Sequence, residues 1–139
     1  MAKTRVHRKV KPAHVPPANH LAKVKKLTEQ NKIEATKTRA LDFVQRIYKC
    51  GPSDAIKKIT KEILELDKSN FAHTRTINSL ECDVYGKIID AIPWYIKFCI
   101  DKDNLGRKGE FVNNLSFHPT EEELTTQSGK IPAYSGGKK

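Results

Sequence analysis

Acidic residues are missing from the beginning of the chain. From Met1 to Thr28 the sequence holds eight Lys and Arg residues and neither Asp nor Glu. Residues 1–50 carry thirteen basic side chains against three acidic ones, whereas residues 51–139 carry thirteen of each. The whole formal net charge of +10 therefore belongs to the first third of the chain. This asymmetry indicates an acidic partner for one end of the molecule; the alternative is a charged tail that only aids solubility.

Cysteine is scarce, and long apolar runs are missing. Cys50, Cys82 and Cys99 form no C-x-x-C pair, so we expect reduced thiols and neither a disulfide framework nor a metal site. No stretch approaches the roughly 18 apolar residues of a membrane span. The first thirty residues also lack the apolar segment of a secretory signal. These absences predict a cytoplasmic or nuclear protein that avoids membranes, with a mitochondrial location as the alternative.

Signatures of catalysis and of base-specific recognition are missing as well. The sequence has no zinc-finger, KH or RRM signature. Gly106-Arg107-Lys108-Gly109 lacks the spacing of a phosphate-binding loop, and it indicates a second basic contact or an ordinary turn. No cysteine has a base placed beside it, and His73 with Glu81 or Asp83 would be a chance pair. We therefore predict a protein that is not an enzyme and has no metal, cofactor or small-molecule substrate.

What is present is a basic segment suited to lie along a polyanion. Three prolines at positions 12, 16 and 17 favour extended backbone, so residues 1–36 should form an extended basic arm with a marginal helix at 20–36. Lys outnumbers Arg twenty to six over the chain, which favours contact with phosphates over bidentate reading of guanine. The candidate nucleic-acid-binding residues of the arm are Lys3, Arg5, Arg8, Lys9, Lys11, Lys23, Lys25 and Lys26.

Apolar residues at three- and four-residue steps predict a helical domain over residues 37–127. Residues 111–117 fit either a short strand or a packed loop, and Thr120 has the capping-box spacing that opens a short helix. Residues 128–139 should form a flexible basic tail. The predicted fold class is all-α, with at most one short strand. The four main predicted helices cover residues 37–50, 53–66, 71–91 and 94–100.

A helical domain joined to a basic arm predicts a structural or accessory protein of a large ribonucleoprotein particle, ribosome-like in the leading interpretation. The arm would screen phosphates in crevices of a large structured RNA, and neighbouring proteins of the particle would contact the domain. Lys57, Lys58 and Lys61, on the polar side of the second predicted helix, would extend the RNA contact. Two alternatives stay open: a DNA-compacting protein of chromatin or of genome packaging, and a protein-interaction adaptor with Tyr134 as an exposed anchor.

Overall fold

The computed structural model of the chain describes residues 16–35, 39–102 and 106–135. Strands β1 to β4 form one antiparallel sheet in sequence order, and β5 pairs with β6 in a separate hairpin. The protein therefore has a mixed α and β fold, and the all-α prediction is wrong. In chain order, the elements are α1 (Leu21–Glu29), α2 (Arg39–Tyr48), α3 (Pro52–Leu64), a 3₁₀ turn (Lys68–Asn70), β1 (Phe71–Ile77), β2 (Leu80–Ile89), β3 (Ile92–Lys102), β4 (Glu110–Pro119), β5 (Leu124–Thr126) and β6 (Gly129–Ile131).

The first two predicted helical stripes correspond to α2 and α3. In α3 the side chains of Ile59 and Ile63 are fully buried. The helix begins at Pro52, and Gly51 occupies the position before it. Proline suits this first position because its fixed φ is already helical and its missing N–H would have no partner inside the helix.

α1 packs into the same core as α2 and α3. Val24 is fully buried, and Leu27 is 8% exposed. The Thr28 hydroxyl donates a hydrogen bond to the Val24 carbonyl oxygen at 2.8 Å, so this polar side chain is buried with its hydrogen bond made. Asn31, with a φ of 63°, lies just after the helix and turns the chain away from its axis. The segment predicted as a marginal helix thus contributes a buried face to the core.

The third predicted helix is instead the β1–β2 hairpin. Asn78 and Ser79 have φ values of 50° and 71°, and Asp90 and Ala91 have φ values of 55° and 67°. Two successive positive φ angles are the mark of the type I′ turn, whose twist matches that of antiparallel strands. Residues 82–86 are buried whichever face they point to. Because β2 is covered on both faces, it shows no clear two-residue alternation.

The fourth predicted helix is β3, the most apolar strand of the sheet. Trp94, Ile96 and Phe98 are fully buried in the core beneath the helices. Tyr95 and Lys97 alternate with them and are only half-buried on the opposite face. Aromatic and β-branched residues favour strands. Placed on a helical wheel, such a strand fills the whole circumference, which explains the wrong prediction.

The segment after β3 also departs from an all-helical reading. Residues 111–117, left open between strand and loop, lie in β4. The helix predicted to begin at Thr120 does not form. The Thr120 N–H donates to the Pro93 carbonyl at 3.0 Å, and its hydroxyl donates to the Pro132 carbonyl at 2.8 Å. These bonds hold the chain against the sheet as it enters β5.

A buried carboxylate fixes the residues before α1 to the sheet. Asp83 has no exposed surface. One carboxylate oxygen accepts hydrogen bonds from the Ala18 N–H at 2.9 Å and the Thr74 hydroxyl at 2.6 Å. The other accepts from the Asn19 backbone N–H at 2.7 Å and the Asn19 side-chain amide at 2.9 Å. Four donors therefore give both oxygens of the carboxylate their hydrogen bonds, without which its burial would be costly.

The Asn19 side chain also bridges the two central strands. Its Oδ1 accepts from the Ile100 N–H at 2.9 Å, and its Nδ2 donates to the Glu81 carbonyl at 3.0 Å. The amide thus takes the place of direct backbone pairing where β2 and β3 separate. The folded body therefore includes residues 18 and 19, which the sequence analysis assigned to the arm; residues 1–15 lie outside the described chain.

Candidate functional site

Polar side chains converge on the face of the four-stranded sheet that points away from the helices. The strand register aligns His73, Lys97 and Ser116 in one row across the sheet. Tyr95 and His118 are paired in the neighbouring row. These residues form the floor of a cleft of about 500 Å³, which we call the sheet cleft. The side chains that line its floor are His73, Arg75, Tyr95, Lys97, Ser116 and His118.

A β-bulge in β1 turns His73 toward the sheet cleft. Phe71 pairs with Tyr85 and His73 pairs with Val84, so Ala72 is an extra residue in the strand. Ala72 packs with Val84 on the open face, whereas Phe71 belongs to the core beneath the helices. With regular alternation, His73 would share the face of Phe71. The bulge instead places His73 on the open face beside Ala72.

Hydrogen bonds and ring contacts connect the floor residues. Arg75 Nη1 donates to the Tyr95 hydroxyl at 3.0 Å. The rings of Tyr95 and His118 are stacked, with centroids 4.8 Å apart and planes inclined by 15°. His118 Nδ1 lies 2.7 Å from the Pro119 carbonyl oxygen. Because a carbonyl can only accept, this contact places the proton of the neutral ring on Nδ1 and leaves Nε2 as the acceptor.

His73 is held in its neutral form. Burial of the imidazole and the positive charge of Arg75 both lower the pKa of His73 below the ordinary histidine value. The ring is therefore neutral at pH 7. The positive charge of the floor comes from Arg75 and from Lys97, whose side chain is half-buried. The sheet cleft thus combines two cations with three rings that can accept or donate protons.

Aromatic and cationic side chains extend the sheet cleft onto α2. A second cleft of about 350 Å³ shares His118 with the first and is lined by Phe43 and Arg39. The ring centroids of Phe43 and His118 are 5.6 Å apart. The guanidinium carbons of Arg46 and Arg39 lie 5.3 Å and 5.9 Å from the Phe43 centroid. Cation–π contacts therefore hold two arginines beside the floor.

One wall of the sheet cleft is acidic. Glu121, Glu122 and Glu123 are exposed in the segment between β4 and β5, and all three line the cleft. The carboxylate of Glu123 lies 3.8 Å from Lys130 Nζ, a pair that leaves both groups largely in solvent. They follow Thr120, where a short helix was predicted to open, and that helix does not form. Their charge faces the cleft instead.

The hairpin behind this wall packs on a glycine of β2. A Cβ atom added at Gly86 would come within 2.6 Å of Leu124 Cδ2, 3.0 Å of Ile131 Cδ1 and 3.1 Å of Thr126 Cγ2. Real Cβ atoms do not approach a neighbour to 2.6 Å, so a side chain at this position would force at least the end of the Leu124 side chain to shift. Gly86 therefore lets three side chains of the hairpin pack directly on the backbone of β2.

The basic residues predicted for the arm do not line the sheet cleft within the described chain. Lys23 forms an ion pair with Glu110 at 2.6 Å, and both side chains are about half exposed. Lys26 is exposed and Lys25 is half-buried on α1. Their role in RNA binding stays a prediction. Five predicted residues lie outside the described chain: Lys3, Arg5, Arg8, Lys9 and Lys11.

The predicted basic strip on α3 is largely neutralised by internal partners. Lys58 Nζ lies 3.2 Å from a carboxylate oxygen of Glu62 and 3.3 Å from one of Asp90. Lys61 Nζ lies 3.7 Å from the same oxygen of Glu62, which is almost fully buried. Lys57 is exposed. RNA contact by this strip stays a prediction, but two of its three charges are balanced inside the protein.

None of the floor residues was among the predicted nucleic-acid-binding residues, because their spacing has meaning only on a strand. The signal was present in β3, where Tyr95 and Lys97 alternate with buried apolar residues. In β4, Ser116 and His118 alternate with Leu115 and Phe117 in the same way. Read as strands, these two segments would have shown one polar face.

Neither a metal site nor a membrane-spanning helix is found among the residues that the structure describes. They include no group of three His, Cys, Asp or Glu side chains placed to hold a metal ion. No helix in the same ranges is long and apolar enough to cross a membrane. Comparison with known proteins found no match to any family model, any curated protein or any solved structure.

Proposed function

We propose that this protein binds RNA and that a single strand lies across the floor of the sheet cleft. The observation that carries the proposal is the placement of Arg75 and Lys97 beside the stacked rings of Tyr95 and His118. Cations hold the phosphates of a strand, and aromatic faces hold its bases. RNA is recognised in this way mainly where it is single-stranded and its bases are free to stack.

The acidic wall supports a single strand over a duplex. Glu121, Glu122 and Glu123 repel phosphates, so a backbone should follow the side of the cleft that carries Arg75 and Lys97. A duplex presents two backbones and would bring one of them against the wall. A single strand can keep its phosphates on the cationic side and turn its bases toward the rings.

Two further basic regions would extend the contact. Arg39 and Arg46, held against Phe43, continue the cationic side of the cleft along α2. The arm at 1–36 would add affinity that is independent of sequence and falls with salt, because bound lysines release counterions from the RNA. Association with a large ribonucleoprotein particle, ribosome-like or otherwise, stays a prediction from the charge distribution.

A binding experiment with paired variants tests the proposal. Fluorescence anisotropy with a short labelled single-stranded RNA would be measured over a salt titration for the full chain. The variant Arg75→Ala/Lys97→Ala should weaken binding and reduce the log–log salt slope by about 1.4, the value for two contacts with a single strand. The control Lys49→Ala/Lys68→Ala removes two exposed charges that line neither cleft and should leave the affinity nearly unchanged.

Each other outcome points to a different reading. If both double variants lost the same RNA affinity, binding would depend on the overall charge and not on the sheet cleft. Equal affinity for DNA of the same sequence would favour the DNA-compacting alternative. If the full chain bound neither nucleic acid at low salt, the proposal would be wrong and the adaptor alternative would gain.

One arrangement favours a second function, cleavage of the bound strand. His118 has Nε2 free as a proton acceptor, and neutral His73 lies in the same cleft. Arg75 donates to the hydroxyl of Tyr95, which leaves the phenol proton available for another acceptor. Groups that take and give protons beside two cations are what metal-independent cleavage of RNA needs.

The reaction would use the 2′-hydroxyl of the RNA as nucleophile. A base such as His118 takes the 2′-hydroxyl proton while the new bond from O2′ to phosphorus forms. The bond from phosphorus to O5′ breaks, and an acid such as Tyr95 gives O5′ its proton. Arg75 and Lys97 stabilise the charge that develops on the phosphoryl oxygens.

Incubation of labelled RNA with EDTA present tests this second function. Cleavage should leave a 2′,3′-cyclic phosphate, spare the all-deoxy strand, and be lost in His118→Ala and Tyr95→Phe. Activity that persists in both variants would come from a contaminating nuclease. Intact RNA with the wild-type protein would support the prediction from the sequence that the protein is not an enzyme.

A further inference from the structure

Two of the three cysteines face each other at one end of the sheet cleft floor. Cys82 and Cys99 are each 1% exposed. Asp83 and Phe98 form the last direct backbone pair of β2 and β3, and two residues further on the Asn19 side chain bridges Glu81 to Ile100. Cys82 and Cys99 lie between these two connections, so they face each other across the strands and their thiols interact. Asn114 Nδ2 donates a further hydrogen bond to Cys99 Sγ at 3.2 Å.

We propose that Cys82 and Cys99 form a redox-responsive modification site, at which a peroxide closes a cross-strand disulfide and a thiol reductant reopens it. Directly opposed residues of antiparallel strands have Cα atoms about 4.5 or 5.5 Å apart. Both separations lie within the range of about 4.4–6.8 Å that a disulfide spans. The two thiols already interact, so the bond would join side chains that face each other.

The contacts assign different roles to the two sulfurs. The hydrogen bond from Cys82, helped by the one from Asn114, lowers the pKa of Cys99 to about 7, although burial opposes this. The contact with Cys99, together with burial, raises the pKa of Cys82 above its ordinary value. Lys97 favours the thiolate of Cys99, and Asp101 disfavours it. Asn114 donates to the sulfur of Cys99, and a donor at the sulfur favours the thiolate, which is the reactive form, so we assign Cys99 as the nucleophile.

The oxidation proceeds in two balanced steps. The Cys99 thiolate attacks one oxygen of hydrogen peroxide, the O–O bond breaks, and Cys99 becomes a sulfenic acid while the released hydroxide takes up a proton. The Cys82 sulfur then attacks the Cys99 sulfur, and the S–O bond breaks as the disulfide forms. The Cys82 proton leaves with the second water. The two thiols lose two electrons, and the peroxide gains them.

Mass spectrometry of the oxidised full chain tests the proposal. The protein is treated with hydrogen peroxide, denatured, blocked with N-ethylmaleimide and digested. Wild type and the matched control Cys50→Ser should each lose two hydrogen atoms and show linked peptides that contain Cys82 and Cys99. Treatment with dithiothreitol before blocking should return both thiols. Cys82→Ser should stop at a Cys99 sulfenic acid that dimedone traps, and Cys82→Ala provides a second variant if serine disturbs the sheet.

Three results would overturn the proposal. The first is a disulfide that includes Cys50. The second is a link between two molecules with none within one chain. The third is complete blocking of Cys82 and Cys99 under conditions that oxidise the half-buried Cys50. None of these readouts depends on RNA, so the site and the proposed function can fail independently.

Discussion

Replacing Asp83 by Asn should strongly destabilise the fold, although the two side chains have nearly the same shape. The carboxylate receives two donors on each oxygen, from Ala18 and Thr74 on one and from the backbone and side chain of Asn19 on the other. An amide offers one acceptor oxygen and one NH₂ group. Turned one way, its NH₂ group faces both donors of Asn19; turned the other way, it faces the Ala18 N–H and the Thr74 hydroxyl, and the hydroxyl can accept as well as donate. At least one donor therefore loses its acceptor.

The expected cost follows from that donor. A donor left without a partner at a buried site costs about 1–3 kcal/mol in the free energy of unfolding. Domains are stable by about 5–15 kcal/mol, and the loss should therefore be large. Urea denaturation of wild type and Asp83→Asn, followed by circular dichroism, measures it. Hydrogen exchange at the Ile100 amide, which donates to Asn19, reports whether this end of the sheet opens first.

A matched variant separates this effect from the loss of any carboxylate. Asp90 is exposed and accepts hydrogen bonds from Tyr48 and Lys58 at the other end of the sheet. Asp90→Asn should be far less destabilising because water can replace the lost contacts. If Asp83→Asn unfolded within about 0.5 kcal/mol of wild type, the usual range for a neutral surface change, the argument from buried donors would be refuted.

Three other substitutions and conditions test the packing and the charges. Gly86→Ala should lower the free energy of unfolding by about 1–3 kcal/mol through overpacking against the hairpin, whereas Gly51→Ala, which meets open space, should change it by less than about 1 kcal/mol. Lys58→Glu should cost about 3 kcal/mol because it places like charges beside a buried glutamate; Lys57→Glu, on the exposed side, should stay within about 0.5 kcal/mol in the same denaturation assay. His73 has a depressed pKa in the folded protein, so it gains its charge only below about pH 6.5. RNA affinity measured by anisotropy should therefore rise as the pH falls below that value, and an affinity that falls would contradict the assignment of His73 to the floor.

The helices that pack on one side of the sheet could be predicted from the sequence. Ile59 and Ile63 recur at helical spacing and lie in the core as expected. An amphipathic helix has one buried face, so its period survives in the sequence. Gly51 and Pro52 lie between α2 and α3, and they act locally, through φ and a missing N–H, whatever the rest of the chain does.

The sheet could not be predicted because its signals depend on contacts far along the chain. β2 is covered by helices on one face and by the hairpin on the other, so its two-residue period is hidden. The turn at Asp90 and Ala91 adopts the type I′ conformation without the glycine that usually marks it. The bulge that turns His73 to the open face has no signature in the sequence.

Under the proposed function, one RNA can contact both the sheet cleft and the acid-free beginning of the chain. Asp83 fixes residues 18 and 19 to β2. Its neighbour in that strand, Cys82, is paired with Arg75 of the cleft floor. The basic segment is thus attached to the strand that runs beneath the cleft. Under the proposed function, an RNA held by the floor raises the effective concentration of its neighbouring phosphates near the arm. Weak contacts of exposed lysines can then add to the affinity without any site of their own.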